Sequence, residues 1–202
     1  WKPWTFQYTD NSQMLFGSGW DGAVRRWDLS TNQQLPRPGG VRASSICAMS
    51  GDGKHLAFAD DEQQIHLVDL PSGKTITKLH LDGATWGQVV FSDDSTLLAG
   101  GAASNDDVHV AVWDVASADI RHNWKWPKGN DPHLNVEALS FSANGNRIAA
   151  AVFQQSAAFV WDLSTDQQIT QVKHPEVYGM DIDATGTTLI TAGWDKYIRV
   201  WN

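Results

Sequence analysis

The sequence predicts an all-β protein built from five repeats of one antiparallel, four-stranded unit, the last of which lacks its outer strand. The first observation is a pair of residues, apolar and then acidic or amide, that recurs through the whole chain. Its occurrences are 41, 45, 48 and 40 residues apart, and a period in the forties is typical of repeat architectures. The five pairs are Trp27-Asp28, Val68-Asp69, Trp113-Asp114, Trp161-Asp162 and Trp201-Asn202.

The second observation is that every period carries the same order of local signals. A short apolar or alternating run leads into a turn rich in Asp, Asn, Gly and Ser, and a second short run follows. These turn residues tolerate left-handed backbone and hydrogen-bond within their own turns. The first strands are predicted at residues 5–9, 45–49, 87–91, 136–141 and 177–182, and the second strands at 14–18, 55–59, 96–100, 147–152 and 188–192.

The third strand of each repeat ends at the recurring pair and is apolar in both alternation phases near its end, as in Val108–Trp113. A strand that is apolar on both faces belongs to a sheet covered on both faces, which predicts small sheets stacked face to face. Polar fourth strands suit an outer edge and are predicted at residues 33–35, 74–79, 119–124 and 167–172. The repeats then cover approximately residues 4–35, 43–79, 85–126, 134–172 and 176–202.

The best repeats, residues 15–28 and 189–202, resemble the WD-repeat family of β-propellers, and the resemblance extends over the whole chain. It implies a β-propeller of four-stranded blades in which a turn Asp hydrogen-bonds with a Ser or Thr, a His and the signature Trp. Asp21 and Asp195 match that turn position, and His133 and His174 lie close to the position of the family's histidine. The residues given structural roles by the resemblance are Asp21, Trp27, Asp28, Trp113, Asp114, Trp161, Asp162, His174, Asp195 and Trp201.

The number of repeats adds an expectation about the whole protein. No fourth strand follows the last pair, and terminal repeats of such arrays need neighbours or caps. We therefore expect part of a larger ring of about seven or eight blades rather than five blades that close loosely. Because the first residue is Trp1 and not Met, we also expect that the sequence is not an intact translation product.

Composition and motifs predict no catalytic residue, no metal site and no cofactor. The net charge is −8 and no long Lys/Arg run occurs, which argues against nucleic-acid partners. No apolar stretch approaches the roughly 18 residues that span a membrane. The seven histidines lack metal-ligand spacing, and no nucleophile elbow, phosphate loop or dinucleotide fingerprint is present. The single cysteine, Cys47, lies in an apolar run and is predicted to be buried; the compartment stays open, with the cytoplasm favoured.

The resemblance places the loops that join second to third strands, and fourth to first strands, on one face beside the central channel. Tryptophan is enriched at binding hot spots, so these loops supply the candidate partner-binding surface. Its members are Trp20, Arg42, Asp61, Trp86, Asn105, Asp107, His133, Gln155, Glu176 and Trp194. A structural role for Trp20 and Trp194, packed between neighbouring sheets, stays open, as does the role of Trp124 and Trp126 on an outer edge.

The function predicted from the sequence is a non-catalytic scaffold or sensor domain that binds another protein, or another segment of its parent polypeptide, through these loops. One alternative is a carbohydrate-binding module in which Trp20, Trp86 and Trp194 stack on sugar rings. A less favoured alternative is an enzyme with its active site in the channel.

Overall fold

The structure is a computed structural model that describes residues 3–9, 12–19, 23–36, 46–128, 134–153 and 155–202. Within these residues the chain forms nineteen strands in five antiparallel sheets, four with four strands and the last with three. The residues fall into two compact units, Trp1–Leu81 and Asp82–Asn202. The described residues include no helix that is long and apolar enough to cross a membrane.

The Trp1–Leu81 unit holds the first two sheets, each with its strands in sequence order. Gln7 and Met49 join the two sheets: the Gln7 amide donates to the Met49 carbonyl and accepts from the Met49 N–H. The strands of the first sheet are β1 (Pro3–Tyr8), β2 (Met14–Gly19), β3 (Arg25–Asp28) and β4 (Gln33–Leu35). Those of the second are β5 (Cys47–Met49), β6 (His55–Ala59), β7 (Ile65–Asp69) and β8 (Lys74–Leu79).

The Asp82–Asn202 unit holds the other three sheets, and the first strand of the fourth sheet contacts the first strands of both the third and the fifth. One apolar cluster joins the third sheet to the fourth, and another joins the fourth to the fifth. The third sheet consists of β9 (Thr85–Phe91), β10 (Leu97–Ala103), β11 (Asp107–Asp114) and β12 (Ile120–Pro127). The fourth consists of β13 (Val136–Phe141), β14 (Arg147–Val152), β15 (Ala157–Asp162) and β16 (Gln167–Lys173). The fifth has β17 (Val177–Ile182), β18 (Leu189–Gly193) and β19 (Ile198–Trp201).

The predicted fold class is confirmed: the described chain is all-β, its sheets are four-stranded and antiparallel, and the last has no outer strand. The largest difference among the outer strands concerns β12, which extends to Pro127 and so includes both Trp124 and Trp126. The predicted first strand at 45–49 begins at Cys47 in the structure, and residue 45 lies outside the described part of the chain.

The turn between first and second strands is built in the same way in three repeats. A buried serine (Ser50, Ser92 or Ser142) accepts the N–H of the residue that lies five positions later. Its hydroxyl donates to an Asp or Asn side chain two positions on, at 2.6–2.7 Å. Each turn therefore satisfies its own polar groups while its serine is out of water, which makes the hairpin locally specified.

The acidic residue of the recurring pair is explained by the next turn. The carboxylate of Asp28 accepts the N–H groups of Ser30 and Thr31, and Asp162 does the same with Ser164 and Thr165. Asp114 caps its turn in the same way. A carboxylate that accepts several hydrogen bonds is favoured in its charged form. The pKa of Asp28 and of Asp162 is lowered first by the hydroxyl of the serine two positions on and then by the turn N–H groups, and the pKa of Asp114 is lowered by the Ser117 N–H and by Arg121.

The apolar third strands are covered on both faces in the third and fourth sheets, as predicted, since the successive residues Ala111 and Val112 of β11, and Phe159 and Val160 of β15, are buried. The prediction is wrong for β19. Ile198 is 74% exposed and Val200 is 60% exposed, although they occupy the register positions of buried residues in β11 and β15. In β11 the corresponding residues, Val110 and Val112, pack in an apolar core shared with the fourth sheet, whereas β19 contacts chiefly β18.

Candidate functional site

Four side chains of the fifth sheet form a continuous hydrogen-bonded set. Trp201 Nε1 donates to Thr191 Oγ1 at 2.9 Å, Thr191 Oγ1 lies 2.6 Å from His174 Nδ1, and His174 Nε2 lies 3.1 Å from Asp195 Oδ1. His174 and Thr191 are completely buried. Because an indole N–H only donates, the hydroxyl proton of Thr191 is left for His174 Nδ1, and a neutral imidazole protonated on Nε2 donates to Asp195. With this direction of donation, the buried polar atoms of His174 and Thr191 all have hydrogen-bond partners.

Asp195 is the end of this set and fixes the turn from β18 to β19. Burial alone would raise the pKa of its carboxyl, but hydrogen bonds from the Tyr197 N–H, Arg199 and His174 outweigh burial and lower the pKa to about 2. The Arg199 guanidinium lies 2.7 Å from Asp195 Oδ2. The turn is therefore held from three directions, and it presents its tip residue, Trp194, in a defined position.

In the second sheet, the turn from the second to the third strand is stabilised by different residues. Asp60 Oδ1 accepts the N–H groups of Glu62 and Gln64, and Asp60 Oδ2 lies 2.7 Å from Nε2 of the buried His66. Burial tends to raise the pKa of Asp60, but the bonds from Gln64, His66 and Glu62 lower it overall. The candidate residue Asp61 follows Asp60 and is exposed at the tip of this turn.

Trp194 and Glu176 lie together at the loop edge of the Asp82–Asn202 unit. Trp194 is 68% exposed, and its backbone N–H donates to the Glu176 carbonyl at 3.1 Å. The indole makes edge-on contacts with Phe153, at 6.5 Å between ring centroids, and with Tyr178, at 6.2 Å. Sequence reasoning missed both neighbours, and their only signal was an aromatic residue at the end or start of a strand beside a loop.

Three further candidates lie in neighbouring loops of this unit. Gln155 Oε1 accepts a hydrogen bond from Trp126 Nε1 at 3.2 Å, so the glutamine also fixes an indole. Asn105 is exposed and lines a polar cleft of about 280 Å³ together with Lys128. Asp107 is half-buried at the start of β11, and its N–H donates to Ser104 Oγ.

Trp86 does not lie at the surface, which corrects its assignment to the partner-binding loops. It belongs to β9, is 2% exposed, and packs against Trp113 with 5.8 Å between ring centroids. Gly100 leaves room for it, since a Cβ there would lie 2.6 Å from the indole. Four other predicted residues lie outside the described part of the chain: Trp20, Asp21, Arg42 and His133.

The tryptophans of the recurring pairs are buried or half-buried. Trp113 and Trp161 are 2% exposed, and Trp27 and Trp201 are half-buried. Trp124 and Trp126, whose role the sequence left open, pack on the fourth sheet, where both stack on Trp161.

No group of three or more His, Cys, Asp or Glu side chains in the described residues is placed to hold a metal ion. Cys47 is a free, half-buried thiol, and burial raises its pKa to about 11, against a weaker opposite effect of a hydrogen bond with Ser18.

Small antiparallel sheets, four of the five with a tryptophan at the end of the third strand, are typical of the blades of a β-propeller. Residues 166–202, which contain the whole hydrogen-bonded set, match the model of the family described as WD domain, G-beta repeat. Together with the relatives and the solved structure below, this match supports a WD-repeat β-propeller.

Three relatives and one solved structure support this conclusion. An F-box/WD-40 repeat-containing protein of Arabidopsis thaliana is 25% identical over 95% of this chain and 35% of its own length. The 66 kDa stress protein of Physarum polycephalum is 25% identical over 78% of this chain and 26% of its own length. Periodic tryptophan protein 2 of Arabidopsis thaliana is 24% identical over 94% of this chain and 21% of its own length. The chain thus spans about a third or less of these relatives.

The solved structure is the Cps50 (Swd1) β-propeller domain of Myceliophteria thermophila, with a TM-score of 0.72 and 17% identity. It covers 98% of this chain and 64% of the other chain, and at this identity the likeness concerns the fold alone. WD-repeat propellers are generally non-enzymatic scaffolds that bind other proteins.

Proposed function

We propose that this chain is a non-catalytic interaction scaffold that binds protein partners through the loops at one edge of its blades. The observation that carries the proposal is the exposed indole of Trp194, which is 68% exposed and flanked by Phe153 and Tyr178. A large aromatic held in a fixed position at the surface gives apolar contact area at little cost in conformational entropy, which is typical of a binding hot spot.

The polar surroundings of Trp194 suit a protein surface. Glu176 is exposed beside it, and its N–H is held by Ser156 Oγ at 3.3 Å. An aromatic residue that becomes buried on binding, surrounded by a polar rim, is the usual composition of an interface. The further members proposed are Asp61, Asn105, Asp107 and Gln155, with Trp20, Arg42 and His133 from the residues that the structure does not describe.

Two turn aspartates, Asp183 and Asp195, have lowered pKa values that suit a structural rather than a catalytic use. Hydrogen bonds from Thr185 and the Thr188 N–H lower the pKa of Asp183 to about 2, and Asp195 is held at a similar value. A general acid needs a raised pKa and a position in a cleft, whereas these carboxylates close turns. The carbohydrate alternative loses one of its three anchors, because Trp86 is buried.

The experiment is affinity capture with the chain as bait, compared between wild type, Trp194→Ala and Ile76→Ala. Ile76 is an exposed apolar residue on β8 and serves as the matched control. We expect a partner whose yield falls at least about tenfold for Trp194→Ala and stays unchanged for Ile76→Ala, because hot-spot truncation costs 2 kcal/mol or more. The affinity of that purified partner for each variant is then measured. Equal yields and affinities for Trp194→Ala and wild type would contradict the proposal.

A further inference from the structure

The turn between β13 and β14 holds the one asparagine of this chain that is followed by glycine, Asn144-Gly145. This turn lies against the turn between β17 and β18 and is hydrogen-bonded to it, so the two turns help to join the fourth sheet to the fifth. An asparagine before glycine loses ammonia more readily than other asparagines, because a residue without a Cβ leaves its backbone nitrogen open to attack. The contacts of Asn144 therefore decide whether the folded chain is modified there.

The side chain of Asn144 is held at both ends. Its Oδ1 accepts the Ser142 hydroxyl at 2.7 Å and the Asn146 N–H at 3.1 Å. Its Nδ2 donates to the Thr185 carbonyl of the fifth sheet at 3.1 Å. The N–H of Gly145, whose nitrogen is the attacking atom in deamidation, donates to the Ser142 carbonyl at 2.8 Å. Each polar atom that takes part in the reaction thus has a partner in the folded chain.

The corresponding turns show what the amide contributes. Asp52 and Asp94 take the position of Asn144 in the second and third sheets, where their carboxylates accept the serine hydroxyl and the N–H two positions on. An acid therefore closes this turn as well as an amide does. A carboxylate has no N–H to donate, so the bond to Thr185 is what asparagine adds at this position.

Two further hydrogen bonds join the same turns. The backbone N–H of Asn144 donates to the Ala184 carbonyl at 3.0 Å, and Arg147 Nη1 donates to the Gly186 carbonyl. Three successive carbonyls of the fifth sheet, at residues 184, 185 and 186, are thus bound by the fourth sheet. The Asn144 side chain loses its partner on the fifth sheet when this contact opens.

We propose that Asn144 is a site of spontaneous deamidation that is gated by the contact between the two turns. Asn144 is exposed, so a solvent base has access once the contact opens. The backbone nitrogen of Gly145 then loses its proton and attacks Cγ of Asn144, which forms a five-membered succinimide. The Cγ–Nδ2 bond breaks, and Nδ2 leaves as ammonia with a proton from water. One water molecule adds to either imide carbonyl and gives aspartate or isoaspartate.

The closed contact opposes this reaction. Ring closure makes Cγ tetrahedral, which takes Oδ1 and Nδ2 out of the plane in which Ser142 and Thr185 hold them. It also removes the proton that Gly145 donates to Ser142, so the lost hydrogen bonds add to the barrier. The product has no N–H for Thr185 and turns an acceptor toward that carbonyl. Modification therefore weakens the contact that had prevented it.

The test is peptide mapping by mass spectrometry after incubation in mildly alkaline buffer, which follows every asparagine in one sample. Wild type is compared, folded and in urea, with folded Arg147→Met, which keeps an apolar stem and removes the bond to Gly186. Arg121→Met is the control of equal charge change, since Arg121 pairs with Asp114 inside the third sheet. Hydrogen exchange of the Asn144 backbone N–H measures opening of the contact directly.

We expect conversion of Asn144 to be at least about tenfold slower in folded wild type than in urea. Arg147→Met should raise both the conversion and the exchange at least about threefold, and Arg121→Met should match wild type. In wild type alone, small additions of urea should raise the two rates in proportion. Equal conversion in the folded chain and in urea, an unchanged rate in folded Arg147→Met, or wild-type rates that diverge would overturn the inference.

The consequence is tested with Asn144→Asp, which has the side chain of one product. Asn146→Asp is the matched control, because it makes the same change at an exposed asparagine of the same turn. We expect the backbone amide at position 144 to exchange at least about threefold faster in Asn144→Asp than in Asn146→Asp. Equal exchange in the two variants would show that deamidation leaves the contact intact and would overturn this part of the inference.

Discussion

The hydroxyl of Thr191 joins the second strand of the last sheet to the signature indole of its third strand, with Thr191 Oγ1 at 2.9 Å from Trp201 Nε1. The same oxygen lies 2.6 Å from His174 Nδ1. One buried hydroxyl therefore serves two partners, neither of which has another partner for the same atom among the described contacts. Its removal is the most specific way to test what the set contributes to stability.

Thr191→Val keeps the shape of the side chain and removes the hydroxyl. We expect the free energy of unfolding to fall by about 1–3 kcal/mol, because buried polar groups of His174 and Trp201 lose their partner. Urea denaturation followed by tryptophan fluorescence measures it. Thr170→Val, on the exposed face of β16, is the control and should change stability by less than about 0.5 kcal/mol. A similarly small effect at Thr191 would mean that the hydrogen bonds contribute nothing net.

Asp195→Asn tests the pH dependence of the same set. The pKa of Asp195 is lowered from 3.8 to about 2 in the folded protein, so its contribution is present above 3.8 and is lost as the pH falls toward 2. We expect wild type to exceed the variant in urea midpoint at about pH 7, with the difference shrinking at about pH 3. Asp93→Asn, an exposed turn residue, supplies the baseline. A difference that stays constant with pH would show that charge is not the cause.

Gly100→Ala probes the packing of the two tryptophans in the third sheet. The added Cβ would lie 2.6 Å from Trp86 and 3.2 Å from Trp113, and both indoles are buried. We therefore expect the free energy of unfolding to fall by about 1–3 kcal/mol. Gly179→Ala is the matched control, since its Cβ meets only Ala192 at 3.9 Å. Thermal melting of both variants makes the comparison. If the two melt together, the core around Trp86 tolerates a methyl group.

Cys47 should be unreactive in the folded protein. Burial raises the pKa of its thiol to about 11, and the thiolate is the species that attacks disulfide reagents. At about pH 8, near the ordinary thiol pKa, we expect slow modification by a disulfide reagent in buffer and rapid, complete modification in urea. Comparable rates in both solutions would contradict the burial of this thiol.

The sequence predicted the strands well because the signals for them are local. Ser50, Ser92 and Ser142 each form a turn with residues no more than five positions away, so the turn chemistry can be read along the chain. The apolar residues in both alternation phases of β11 and β15 can likewise be read from the sequence without knowledge of neighbouring strands. Their agreement with the structure follows from this locality.

The site was harder to predict because it depends on distant pairings. Whether Trp86 faces solvent or Trp113 is decided by the register of β9 and β10, and its placement in a surface loop was wrong. The contact of Trp124 with Trp161 joins residues of different sheets, which no local pattern reports. The register shift that places Gln168 on the same face of β16 as Gln171 depends on the pairing with β15, and the sequence of β16 alone carries no signal for it.

The exposed apolar side chains of β19 make the self-association of this chain depend on salt concentration. Ile198 and Val200 expose apolar surface through which two copies of the chain can attract each other, while the net charge of −8 makes the copies repel at low ionic strength. Added salt shortens the range of that repulsion to about 8 Å at physiological strength and leaves the apolar attraction in place. Solutions of this chain should therefore be clearest in dilute buffer and should scatter more light as salt is added, the reverse of salting-in.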